Sequence, residues 1–122
     1  MSHILVIDDD DFFREVLVQM LQKDGHQVTE ARDGVQALAL LPRTHPDLIL
    51  TDILMPHMDG VEFITELSRQ SNNTPIIAMS GGRRTITAAF NLESAKLMGV
   101  KVTLSKPIGH GALSAAIRQI LG

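Results

Sequence analysis

The sequence of 122 residues predicts an α/β fold, a doubly wound parallel sheet of five strands covered by five helices. Three observations predict it. Short apolar runs alternate with longer stretches in which apolar residues recur at three- and four-residue spacing. Several of the short runs are apolar almost throughout, as strands covered on both faces must be. Glycines stand at the joins between the two kinds of segment.

The elements follow in order. "HILVI" (3–7) reads as the first strand and runs straight into Asp8, Asp9, Asp10 and Asp11. Phe13, Val16, Leu17, Met20 and Leu21 then share one helical face, and Gly25 follows. "QVTEA" (27–31) is the second strand. Val35, Leu38 and Leu41 mark a second helix beyond Gly34, which Pro42 is expected to end. "DLILT" (47–51) is the third strand, and Val61, Ile64 and Leu67 mark the helix after Gly60. "PIIAM" (75–79) is the fourth strand. Its helix is the least distinct and falls within 84–98, before Gly99. "KVTL" (101–104) is the fifth strand, and Leu113, Ala116, Ile117, Ile120 and Leu121 form the apolar face of the last helix. Strand–helix–strand units of this kind are right-handed and place successive strands parallel.

Composition narrows the function. With 44% hydrophobic and 20% charged residues the chain is an ordinary globule, expected to be one domain over 1–122 without a separate output module. A net charge of -3 offers no basic field for nucleic acid. The absence of cysteine excludes a disulfide framework and a thiolate metal site, and fits a reducing compartment. Four aspartates fall where a signal peptide would need its apolar stretch, and no apolar run reaches membrane-spanning length. A cytoplasmic protein without membrane contact is expected.

In doubly wound sheets ligands bind beyond the carboxyl ends of the strands, near the point where the winding reverses. Those ends carry Asp8 and Asp9 after the first strand, Asp52 after the third, Ser80 after the fourth and Lys106 after the fifth. The first and third strands are expected neighbours, so the three acids should converge. Converging carboxylates either share protons or hold a hard divalent cation such as Mg²⁺ through oxygen ligands. The lysine favours the second reading, because a positive charge beside a cation clamps phosphoryl groups. A carboxylate can itself be the nucleophile that accepts such a group.

The four aspartates are not all needed for this. Like charges about 4 Å apart repel by roughly 4 kcal/mol at an effective dielectric near 20. Asp10 and Asp11 are better used to start the first helix, one as its cap and the other exposed at the rim of the site. A calcium loop is excluded because this run lacks the required glycine and terminal glutamate.

The pieces "ILVIDDD", "DLILTDILMPHMDG", "PIIAMSG" and "LSKPI", in that order and at strand ends, resemble a receiver domain of a two-component response regulator over essentially the whole chain. The resemblance implies a flavodoxin-like sheet of order 2-1-3-4-5; the order comes from the resemblance, since this family is a standard instance of that topology. It implies that Asp52 accepts the phosphoryl group. Asp9 would bind Mg²⁺ directly, Asp8 would act through water, and the backbone carbonyl of Leu54 would complete the metal site. Ser80 would be the switch hydroxyl and Lys106 the phosphoryl-pairing lysine, followed by a cis bond to Pro107. The phosphoryl donor would be a histidine kinase or a histidine phosphotransfer protein. Output would be contact with a protein target through the face from the fourth helix to the fifth. The module would catalyse only its own phosphorylation and dephosphorylation.

Other residues are read as structural. Gly60 and Asp59 in "MDG" would start the third helix, His57 would be an exposed loop residue, and Arg83 and Arg84 a solvated basic pair near the site. The sequence departs from the family at Thr103, where an aromatic switch residue is usual; Phe90 is the nearest aromatic replacement. The segment after Gly81 and Gly82 is slightly long and is expected to be the mobile element.

Two alternatives use similar residues. A haloacid-dehalogenase-type Mg²⁺-dependent phosphohydrolase would place a D-x-D-x-T/V pattern after the first strand. Asp8 and Asp10 fit its acids, but Phe12 stands at the T/V position and no Asp or Glu occurs in 107–122. A flavodoxin-like FMN binder would need a phosphate loop where the aspartates stand, and these would repel the phosphate.

Overall fold

Strands β1 (His3–Ile7), β2 (Gln27–Ala31), β3 (Leu48–Asp52), β4 (Ile76–Ser80) and β5 (Val100–Ser105) form one sheet in the order β2-β1-β3-β4-β5 in the computed structural model. Every pairing is parallel. The structure describes residues 2–53, 58, 60–80 and 99–122. Helices α1 (Asp11–Lys23), α2 (Gly34–Thr44), α3 (Gly60–Arg69) and α4 (His110–Leu121) pack on the sheet. The last predicted helix is therefore α4. The fourth predicted helix and the readings of Leu54, His57, Asp59, Arg83, Arg84, Phe90 and the loop after Gly81 lie outside the described residues.

The winding reverses between β1 and β3, the two strands that carry the acids. Side chains alternate across the sheet, so each central strand feeds two cores. Leu5, Ile7, Ile49 and Ala78 meet Ala37, Leu41, Phe63, Ile64 and Leu67 on one side. Ile4, Val6, Leu48, Leu50, Ile77 and Met79 meet Leu17, Leu21, Leu113, Ala116 and Ile117 on the other. This is why β1, β3 and β4 are apolar except at their ends, whereas the edge strands β2 and β5 keep exposed positions.

Several boundaries differ from expectation. β3, β4 and β5 each run further than predicted at the carboxyl end, so Asp52, Ser80 and Ser105 are the final strand residues rather than the first loop residues. The parallel ladder carries on past those polar side chains, with Ile53 N–H donating to Met79 O at 3.1 Å and Lys106 N–H to Ser80 O at 2.9 Å. Pro42 does not end α2 but lies inside its last turn. Proline removes only its own N–H from the helix, and His45 N–H still reaches Leu41 O at 3.2 Å.

The helix starts behave as their residues dictate. Asp10 is the cap of α1, its Oδ1 accepting from Phe13 N–H at 3.0 Å, and Asp11 is exposed. Asp33 caps α2 in the same way. Gly25 and Gly99 take positive φ values of 89° and 96°, where a side chain would be strained. Replacing the α1 cap, Asp10→Ala, is expected to cost about 1 kcal/mol. The urea midpoint followed by far-UV circular dichroism measures it, since the chain has no Trp or Tyr.

Candidate functional site

At the carboxyl edge of the sheet, Asp8 follows β1 and is fully buried, while Asp52 ends β3 and is 5% exposed. Asp9 is exposed beside them. Oxygens of these three carboxylates lie within 4.8 Å of one another. Ser80 ends β4, half-buried, and Lys106 follows β5 with its side chain 18% exposed. Lys106 reaches back across the end of β4 to place Nζ 2.8 Å from Asp8 Oδ2 and 2.9 Å from Asp52 Oδ2. The Lys106–Pro107 bond is cis. Asp8, Asp9, Asp52 and Lys106 thus meet in one place, Ser80 ends the strand paired with β3, and Leu54 lies outside the described residues.

Local contacts hold each acid. Asp8 N–H extends the β1–β2 ladder to Ala31 O at 3.1 Å. Asp8 Oδ1 accepts from Asp10 N–H at 2.9 Å, which forms the turn into α1. Beneath Asp52, the buried Thr51 hydroxyl donates to the Asp52 carbonyl at 3.0 Å. Gly60 packs on the same backbone: a Cβ there would stand 2.5 Å from Asp52 O and 2.7 Å from Ile53 Cα. Its N–H donates to Ile53 O at 2.7 Å. Only glycine lets α3 start this close to the acid, which gives Gly60 a structural part, as read from its motif.

Two contributors were not legible in the sequence. Phe13, read as a member of the apolar helix face, places its ring centroid 4.3 Å from Lys106 Nζ. Arg14, a single basic residue with no pattern around it, folds under the β1–α1 turn with its side chain 12% exposed. Spacing reveals that a helix has a face; it does not reveal which distant cation that face meets.

Burial raises the Asp8 carboxyl above its ordinary value, and the charge of Asp52 adds to this, against the lowering pull of Lys106 and Asp10 N–H. For Lys106, burial disfavours the charge, but its close contacts to the carboxylates of Asp8 and Asp52 outweigh this and hold the ammonium above its usual range. Lys106 is served by two carboxylates, whereas Asp8 loses more by burial than one shared ammonium returns. Such a site has the charge and donors to accept a cation. Asp8 Oδ2 is buried without a well-aligned hydrogen bond, its lysine contact being an ion pair. With the oxygens of Asp9 and Asp52 it forms the kind of donor set that suits Mg²⁺.

The sign of the pH effect follows. Asp8 binds its proton more tightly folded than unfolded, so its contribution favours the fold at acid pH and is lost as pH rises through the raised folded value. At neutral pH and without divalent cations, Asp8→Asn should melt higher than the parent. The gap should shrink toward pH 4 and also on adding Mg²⁺, which stabilises only the parent; thermal melts by circular dichroism across pH measure both effects.

The profile of the response regulator receiver domain matches residues 4–118. The transcriptional regulatory protein CpxR of Klebsiella pneumoniae is 37% identical over 121 residues, covering 99% of this chain and 50% of CpxR. AfsQ1 of Streptomyces coelicolor, also a transcriptional regulatory protein, is 35% identical over 121 residues, 99% of this chain and 52% of its own. The chain therefore spans about half the length of these relatives. Among solved structures, the chemotaxis response regulator CheY4 of Vibrio cholerae superposes with a TM-score of 0.84 at 31% identity, over 99% of both chains. A response regulator receiver domain protein from Clostridium thermocellum gives 0.86 at 25% identity, over 99% of this chain and 94% of that one. None of these relatives favours the phosphohydrolase alternative. Sheet order, strand-end chemistry and kinship agree, and the chain belongs to the response regulator receiver domain family.

Proposed function

We propose that residues 1–122 act as one phospho-accepting receiver, in which Asp52 takes a phosphoryl group from the phosphohistidine of a histidine kinase or histidine phosphotransfer protein. The observation that carries this reading is the Lys106 ammonium, held 2.8 Å from Asp8 and 2.9 Å from Asp52 at the ends of three different strands. A half-buried lysine between two acids, with a hydroxyl on the intervening strand, is built to follow negative charge from a carboxylate to an incoming phosphoryl group.

Asp52 is the nucleophile. One carboxylate oxygen forms the new O–P bond as the donor's N–P bond breaks, and the electron pair of that bond stays on the imidazole nitrogen. Asp8, Asp9 and Asp52 would hold Mg²⁺, with the Leu54 carbonyl completing the set, and the ion would neutralise charge on the phosphoryl oxygens. Lys106 shifts from Asp52 toward those oxygens, with the Phe13 ring keeping the ammonium above the site. Ser80, ending the strand next to Asp52, donates its hydroxyl to the bound group. The acyl phosphate forms and decays on the protein itself, so the chain signals rather than turning over a separate substrate.

Output is contact with a protein target, made in the cytoplasm without nucleic acid or membrane. Among the described residues no helix is long and apolar enough to cross a bilayer. The contact face runs from the fourth predicted helix through β5 to α4. On β5 the half-buried Thr103, paired with Ala78, offers a methyl and a hydroxyl in place of a large ring. Transmission therefore works through the Ser80 side of the switch rather than by rotation of an aromatic ring at 103.

Incubation with acetyl phosphate and Mg²⁺ should add one phosphoryl group, read by intact mass. The adduct should be absent in Asp52→Asn and on chelation of the metal. An adduct that survives Asp52→Asn but disappears in Asp8→Asn would instead make the chain a phosphohydrolase.

A further inference from the structure

We propose that Arg14 is a positioning residue for the cation site, clamping the turn that presents Asp8 and Asp9; this rests on the receiver reading above. Its guanidinium spends its donors in three directions. Nη1 donates to the Asp8 carbonyl at 2.6 Å, Nε to Glu30 Oε1 at 2.9 Å and Nη2 to Asp11 Oδ1 at 2.8 Å. One side chain thereby joins the end of β1, the edge strand β2 and the first turn of α1.

The Asp8 carbonyl belongs to the Asp8–Asp9 peptide plane. Fixing that oxygen fixes the plane, and with it the starting point of the Asp9 side chain. Asp8 is tied by its N–H, its carbonyl and its own side chain. Asp9 is exposed and takes its orientation from the peptide before it. A carboxylate held in place in advance binds a divalent ion without losing further rotational freedom, and outer contacts of this kind commonly govern metal affinity by about 10–100-fold.

Charge alone makes the opposite prediction. A positive guanidinium near a cation site should repel the ion, so its removal should tighten binding. Asp11 and Glu30 answer that charge directly, at 2.8 and 2.9 Å. The clamp should therefore outweigh the repulsion. Lysine would keep the charge, but its three donors radiate from a single nitrogen and cannot span the three acceptors that the planar fork reaches from Nε, Nη1 and Nη2.

Mn²⁺ binding measured by electron paramagnetic resonance of the free ion, at about 0.15 M salt to screen distant charges, tests this. Arg14→Met and Arg14→Lys should each weaken Mn²⁺ binding by about tenfold, the lower end for an outer contact. Asp24→Asn serves as a structural control. It removes the charge and one of the two carboxylate oxygens that tie the end of α1 to His110 and Ser114 of α4, and should lower the melting temperature while leaving Mn²⁺ affinity within about twofold. Unchanged or tighter binding in Arg14→Met overturns the proposal, as does full recovery in Arg14→Lys. If the Arg14 variants do not fold, Glu30→Ala decides, because it removes the exposed carboxylate that accepts from Arg14 Nε. A loss of about threefold supports the proposal and unchanged affinity overturns it. Failure of the receiver reading would look different: the parent itself would bind no Mn²⁺, or Asp9→Asn would bind it equally well, and both ideas would fall together.

Discussion

The site depends on one ammonium shared by two acids. Asp8 and Asp52 are both buried at adjacent strand ends, and without Lys106 their mutual repulsion would work against the closing of the sheet edge. Among the described residues the lysine offsets that repulsion only in part, since one ammonium faces two buried carboxyl groups and a third at the rim. The site is thus left with an excess of negative charge in a place poor in water. Such an excess gives a divalent ion a strong reason to enter, and gives the lysine a reason to move once charge relocates from carboxylate to phosphoryl oxygens. Stability and responsiveness come from the same imbalance.

The scaffold holds these charges on a closely packed backbone. The central strands are packed on both faces by apolar side chains, and the buried polar side chains among the described residues, Asp8, Thr51 and Asp52, lie at the carboxyl edge. Gly60 brings α3 against the Asp52 backbone, and Thr51 holds the Asp52 carbonyl from below. Rigid backbone under a frustrated set of charges concentrates any response in the side chains and in whatever touches them.

Most of this was legible in the sequence, for physical reasons that can be traced. A strand covered on both faces has to be apolar, so an acid at its end stands out; Asp8, Asp9 and Asp52 were found that way, and Lys106 by its place beyond β5. Asp10 and Asp11 could be separated from the site because a helix start needs an acceptor, and Asp10 supplies it. The misjudged boundaries have a common origin. Residue type reports what a side chain prefers, whereas a ladder or helix persists as long as its backbone bonds do, past Pro42 in α2 and through Asp52 and Ser80 in the sheet. Phe13 and Arg14 escaped because their partners are set by tertiary contact. The same helical spacing would have been written whether or not Lys106 lay above that face.

The contact between Phe13 and Lys106 also supplies a spectroscopic handle. The chain has four Phe and neither Trp nor Tyr, so few rings can perturb their neighbours magnetically. An ammonium whose nitrogen sits 4.3 Å above a ring centroid carries its ε-methylene protons through the shielding cone of that ring. Their proton resonance should stand upfield of the other lysines, and its position reports the height of Lys106 over Phe13. A protein that is nearly silent in fluorescence thus carries, at the centre of its chemistry, a native probe of where its charge resides.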